Sequence, residues 1–161
     1  MEENKQSDYF LKIEGIDGES QDSKHPSEIR IENFKLNVVN RGRRGDYGVG
    51  KPFHDDALFS AMVDQAYPKL KYACAIGESI PKAVLTCRKA GRVQQEYLRI
   101  TFLDLLITRC GLSANSSDLP VVEFTISFTK KQIEYKEQKQ DGSLGGTISA
   151  AVDLHGKRSG A

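Results

Sequence analysis

Val122-Glu-Phe-Thr-Ile-Ser-Phe-Thr129 decides how the rest of the chain is read. Val122, Phe124, Ile126 and Phe128 alternate with Glu123, Thr125, Ser127 and Thr129, the period of two that sends successive side chains to opposite faces of a strand. One face is apolar and the other polar, so the stretch predicts a half-buried antiparallel strand with one wet side. Working outward, Ile148, Ala150, Val152 and Leu154 repeat the alternation. From Ile29 to Val38 the apolar phase switches, from Ile29 and Ile31 to Phe34, Leu36 and Val38. From Tyr97 to Arg109 it switches again, between Leu98, Ile100, Phe102 and then Leu103, Leu105, Ile107. A phase switch implies a bulge, or a long strand that faces two cores. Both are expected where strands curve into a barrel, and the chain reads as mainly β.

Two stretches depart from this pattern. Leu58, Phe59, Met62, Val63 and Ala66 fall at helical spacing until Pro68 interrupts, and their local structure stays ambiguous. From Pro68 the signal is clearer: proline suits the first turn of a helix, Leu70, Ala73 and Cys74 share a face, and Gly77 supplies a stop. The spacing predicts one short helix over about 68–76.

The 161 residues, 17.9 kDa, suit one domain spanning 1–161. With 39% hydrophobic and 28% charged residues the composition is that of a soluble globular domain. No stretch approaches the roughly 18 apolar residues of a membrane span, and Met1-Glu-Glu-Asn has no basic segment leading into an apolar one, so a cytoplasmic start without membrane insertion is expected. Cys74, Cys87 and Cys110 are odd in number and widely spaced, which argues against a disulfide framework or a paired-cysteine zinc site.

The formal charge of +1 names no partner, but its distribution is uneven. Residues 1–22 carry seven acids against Lys5 and Lys12, a net of −5. The glycine-rich stretch 41–51 carries Arg41, Arg43, Arg44 and Lys51 against Asp46, a net of +3. Separated acidic and basic regions let copies of one chain join head to tail. Gly45 to Lys51 satisfies part of a phosphate-binding loop, yet Pro52 stands where Ser or Thr and the start of a helix are required. No nucleotide cofactor is expected. The arginines lack an accompanying stacking platform in a nearly neutral chain, so nucleic acid is not expected either, and the Arg44-Gly45-Asp46 tripeptide is read as coincidence. His54-Asp55-Asp56 aligns three metal-ligand types, but neighbours in a strand point to opposite faces and only His25 and His155 remain as further histidines. No metal site is expected. No serine sits in a nucleophile elbow and no cysteine has a nearby activating histidine, so no catalytic residue is assigned and no enzyme is expected.

Several blocks, taken together, carry more than their chemistry. They are Tyr9-Phe-Leu-Lys-Ile-Glu-Gly-Ile-Asp-Gly-Glu-Ser20 with Asp22 and His25, Pro68-Lys-Leu-Lys-Tyr-Ala-Cys74 with Gly77, and Arg88-Lys-Ala-Gly91 with Glu96-Tyr-Leu98. The last is Tyr135-Lys-Glu-Gln-Lys-Gln-Asp-Gly-Ser-Leu-Gly-Gly146. In order and spacing, over about residues 9 to 154, the chain resembles the Hcp (hemolysin-coregulated protein) family, the tube proteins of the bacterial type VI secretion system. The resemblance implies a small β-barrel of two packed antiparallel sheets with one short helix and an extended loop at about 40–53, assembling as a hexameric ring. It implies rings stacked into an inner tube inside a contractile sheath, with baseplate proteins and a VgrG-type spike as partners, and small effector proteins carried and protected in the lumen. Release from the bacterial cytoplasm on sheath contraction would then need no signal peptide. The alternative within the same family is a secreted cargo adaptor or effector with little tube-forming role. With only a short tail after Leu154, the form of the family that carries a fused toxic domain is not expected.

The resemblance also implies positions. The loop with Arg41, Arg43, Arg44, Asp46 and Lys51 corresponds to the one that reaches toward a neighbouring ring, where its charge complements the acidic segment. Asn33, Lys35 and Asn37, with Glu123, Thr125 and Ser127, are the candidates for the wet lumen face. Lys35 falls near the position that influences cargo binding, where small residues are familiar, and Phe34 stands in a strand that often contains Trp.

Overall fold

A computed structural model describes residues 7–40, 42, 53–90 and 94–154. Along the chain its elements are β1 (Ser7–Ile13), β2 (Ile29–Ile31), β3 (Asn33–Lys35), β4 (Val38–Val39), β5 (Phe53–His54), β6 (Ala57–Met62), α1 (Ala66–Ile76), β7 (Ile80–Lys89), β8 (Glu96–Ser113), β9 (Val121–Gln138) and β10 (Leu144–Asp153). The large sheet is ordered β2-β1-β7-β8-β9-β6-β3, with β10 added to β9. Its outermost strands, β2 and β3, are separated only by Glu32, whose amide donates to the Ser60 carbonyl at 2.8 Å. The two ends of the sheet are therefore consecutive pieces of one chain, and the sheet curls into a nearly closed barrel.

Both predicted phase switches are places where the chain changes layer. The first falls at Glu32, where Ile29–Ile31 pair with β1 and Asn33–Lys35 with β6. The second falls at Asp104, which takes φ of 48°, a left-handed conformation that non-glycine residues rarely adopt. Phe102 and Leu105 are both buried although three residues apart, as are Phe128 and Lys131 opposite them. Strands β8 and β9 bend together there, one half running with β7 and β10 and the other with β6. A second irregularity, between Ile107 and Arg109, resets the phase of β8 once more. Leu103, predicted among the apolar set, is turned outward at this corner.

The core follows the opening alternation: Val122, Phe124, Ile126 and Phe128 are buried, and Phe124 stacks on Phe59 with ring centroids 5.4 Å apart. The segment left ambiguous by its helical spacing is strand β6, with Ala57, Phe59 and Ala61 inside. Small alanines at two of its three inward positions weaken the alternation, while Leu58 and Met62 occupy the outer face and imitate a helical stripe.

Helix α1 begins at Ala66, two residues before the expected start. Pro68 is its third residue, where an amide has no helical partner to lose. Asp64 accepts from the Ala66 amide at 2.9 Å. The stop is at Gly77, in the left-handed conformation (φ 66°), with the Glu78 amide returning to the Ala73 carbonyl. Leu70 and Ala73 are buried against the barrel.

Strand β10 forms where its pattern predicts, but its burial differs. Ile148 is 67% exposed, and Ala150, Leu154 and most of the strand are exposed on both faces. The alternation of β10 has no inner layer to face in the single subunit.

Candidate functional site

Three surfaces are built by this fold. The first is the outer face of β3, β6, β9 and the second half of β8. Register puts Lys35 beside Leu58, Leu58 beside Thr125 and Thr125 beside Arg109. One row along, Asn33 lies beside Ser60, Ser60 beside Glu123 and Glu123 beside Gly111. Asn33, Lys35 and Glu123 are exposed, while Thr125 and Ser127 are half-buried. Two groups of candidates that are ninety residues apart in sequence thus share one polar face, joined through β6. Thr108 stitches this face by donating to Asp56 at 2.6 Å and sharing a 2.7 Å hydroxyl contact with Thr125. Asn37 is exposed beyond β3, its carbonyl accepting from the Asp55 amide.

The second surface was not singled out in the sequence. Over β1, β7, β8 and β9 lies an open trough of about 780 Å³, whose lining includes Lys12, Lys82, Arg99, Thr101, Gln132 and Glu134. Its residues come from the polar phases of four strands, and only pairing reveals them as one concavity.

At one flank of this trough the family-like blocks meet. Arg88 is 1% exposed and grips Asp22 with both terminal nitrogens, Nη1 to Oδ1 at 2.9 Å and Nη2 to Oδ2 at 2.8 Å. Asp8 receives a weaker bond from Nη2 at 3.4 Å. The guanidinium sits 4.8 Å from the centre of the Phe10 ring, on which His25 also stacks at 4.6 Å. His25 presents Nδ1 to Glu28 at 2.8 Å and Nε2 to Glu96 at 2.7 Å, and Glu96 in turn accepts from Arg99. The Arg88 guanidinium holds the Asp22 carboxyl well below the usual carboxylate range, against the opposing effect of burial. Burial works to raise the Glu96 carboxyl, but His25 and Arg99 together leave it below its ordinary value. This cluster ties the segment between β1 and β2 to the sheet. The backbone there runs so close that a Cβ on Gly18 would lie 2.5 Å from the Glu28 carbonyl oxygen.

The third surface is the β9–β10 flank. Among the described residues β10 is hydrogen-bonded along one side only, to β9, and it displays Ile148 beside Tyr135, itself 41% exposed.

The remaining candidates separate into two groups. Arg41, Arg43, Arg44, Asp46 and Lys51 lie outside the described residues, as does His155; the described part of their loop is its root, the β4–β5 pair with Val38 opposite His54 and Val39 opposite Phe53. Among the described residues no group of three His, Cys, Asp or Glu is arranged to hold a metal, and no helix is long and apolar enough to cross a membrane. The Cys87 thiol is buried and pushed up to about 12 by desolvation, which makes it unreactive.

Comparison with known proteins agrees with this geometry. Residues 10–135 match the family model described as type VI secretion system effector, Hcp. Protein hcp1 of Pseudomonas aeruginosa is 34% identical over 144 residues, 86% of this chain and 89% of that one. The crystal structure of Hcp1 from Salmonella typhimurium superposes with a TM-score of 0.79 at 34% identity, covering 93% of this chain and 96% of the other. A type VI secretion system effector from Yersinia pestis gives a TM-score of 0.77 at 34% identity, over 91% of this chain and 99% of its own. The barrel, its single helix and the matched sequence define a type VI secretion system protein. Within that class, the chain belongs to the Hcp family.

Proposed function

We propose that this protein is the structural subunit of a type VI secretion inner tube. Six copies close into a ring, rings stack, and the tube leaves the bacterial cytoplasm for the medium or a target cell when the surrounding sheath contracts. The observation that carries this reading is β10: a ten-residue strand, bonded along one edge among the described residues and largely exposed on both faces, is a surface suited to a partner strand or sheet. A contact between this flank and a different flank of the next copy is heterologous, and heterologous contacts of suitable rotation close into rings.

In this reading the polar face of Asn33, Lys35, Asn37, Glu123, Thr125 and Ser127 lines the lumen and carries small effector proteins. A wet, weakly adhesive face suits cargo that must be released. The basic loop of Arg41, Arg43, Arg44, Asp46 and Lys51 docks one ring on the acidic side of the next. A spike protein of the VgrG type caps the tube, with sheath and baseplate proteins outside it. Negative-stain electron microscopy of the untagged protein, with light scattering for mass, tests the reading: six-fold rings with an open pore are expected, and a stable monomer at all concentrations would overturn it. An Arg43→Glu, Arg44→Glu double variant should keep the ring and lose stacking.

A further inference from the structure

We infer that Lys131 and His54 form a carboxylate-accepting site at the root of the β4–β5 arm, filled in the assembled protein by an acidic side chain of a neighbouring copy; this rests on the ring reading above.

Lys131 is 8% exposed, and its ammonium lies 5.4 Å from the centre of the Phe128 ring. The edge of that same ring system is met by His54, with centroids 6.4 Å apart and planes at 80°. Among the described residues no carboxylate comes within ion-pair distance of Lys131, although the adjacent Lys130 reaches Asp153 at 3.8 Å. His54 Nδ1 is buried with no hydrogen-bond partner among the described residues. An ammonium and an imidazole thus flank one aromatic ring, and among the described residues no carboxylate pairs with either. Burial pushes the Lys131 amine down from its ordinary value, and burial followed by the charge of Lys131 does the same to His54.

A largely buried lysine without a counter-charge among the described residues is partly desolvated at a cost, and an apolar residue of similar size is expected to stabilise the isolated subunit better. What is missing is an anion, and the fold indicates where one comes from. Through the register, Ile13 pairs with Ala83, Ala83 with Phe102, and Phe102 with Lys131. The turn that follows Ile13 therefore lies at the end of the same hydrogen-bonded row as Lys131, three strands away. That turn exposes Glu14, Asp17 and Glu19. Among the described residues β10 alone lies between Lys131 and the open flank, so a head-to-tail neighbour that continues this row brings its acidic turn alongside the Lys131 ammonium and the His54 ring.

The test uses the full chain, with sedimentation velocity across a concentration series and thermal melts of the dissociated subunit. Lys131→Met is expected to raise the melting midpoint of the subunit while raising the concentration for half-assembly at least tenfold. His54→Gln should weaken assembly in the same direction. A triple Glu14→Gln, Asp17→Asn, Glu19→Gln variant should match the loss of Lys131→Met, and combining the two should add little, because the groups act through one contact. Sodium acetate should raise the melting midpoint of the parent subunit more than that of Lys131→Met. A parent that assembles while Lys131→Met assembles equally well overturns this site alone, as do losses that simply multiply or an equal response to acetate. A parent that never assembles overturns the ring reading and the neighbour with it.

Discussion

The two flanks of the barrel are finished differently. Around β1 and the segment before β2, charged groups are enclosed and paired inside the subunit: the terminal nitrogens of Arg88 by Asp22 and Asp8, although its Nε has no partner among the described residues, and His25 by Glu28 and Glu96. Around β9 and β10, an apolar side chain such as Ile148 stands in water and the outer edge of β10 carries no strand among the described residues. The difference teaches how to divide the molecule between stability and assembly. The closed flank holds one copy together, and in the ring reading proposed above the open flank is where copies would meet.

The sharpest way to break this contrast is to attack the closed flank. Arg88→Met leaves Asp22 without its cation and Asp8 with only, among the described residues, the 4.0 Å pair to the exposed Arg30, and the loss of one member of a buried charge cluster costs about 3–5 kcal/mol. Urea unfolding should show a loss of that size; a loss below about 1 kcal/mol would mean the network only decorates the fold. Acid probes the same cluster. The folded-state carboxyls of Asp22 and Glu96 lie below their ordinary values, so their stabilisation is fully present above the unfolded carboxylate range, begins to fall within it, and is lost as pH falls on through the lower folded-state values. The urea midpoint should hold steady above about pH 5 and drop below about pH 4, with a shallower drop in Arg88→Met.

At the open flank the effects should reverse. Ile148→Lys is expected to change subunit stability by no more than about 0.5 kcal/mol, the usual range for an exposed position, yet to raise the concentration at which rings form. Sedimentation and urea unfolding on the same sample separate the two. The smallest effect is expected at Lys35→Ser on the polar face: unchanged unfolding and unchanged rings, with altered retention of an effector measured by co-purification at several salt concentrations.

Much of the barrel was legible in the sequence because period two is a direct consequence of backbone geometry. Phe124 and its neighbours announced β9, and the phase switches at Ile31 to Phe34 and Phe102 to Leu105 marked the two places where the chain turns from one layer to the other. What stayed hidden depends on non-local pairing. Strand β6 was masked by Ala57 and Ala61, and without it the two polar strands could not be joined into one face. The trough and the Arg88 cluster were likewise invisible as objects, since Asp8, Asp22, His25, Arg88 and Glu96 become neighbours only when β1, β7 and β8 are aligned. For β10 the alternation named the strand correctly but overstated its burial, because the apolar phase of a strand does not say which layer covers it, and among the described residues of the subunit no layer does.

The long pair β8 and β9 has a mechanical consequence. Each strand is 18 residues long, and they run antiparallel through both layers with a common bend at Asp104. Their hydrogen bonds lie perpendicular to the strands, so a pull along the strand direction loads many rungs together in shear. A sideways pull on β10 opens its ladder one rung after another. The subunit is stiff along one axis and peelable along another, and the direction from which a force arrives decides which of these it meets.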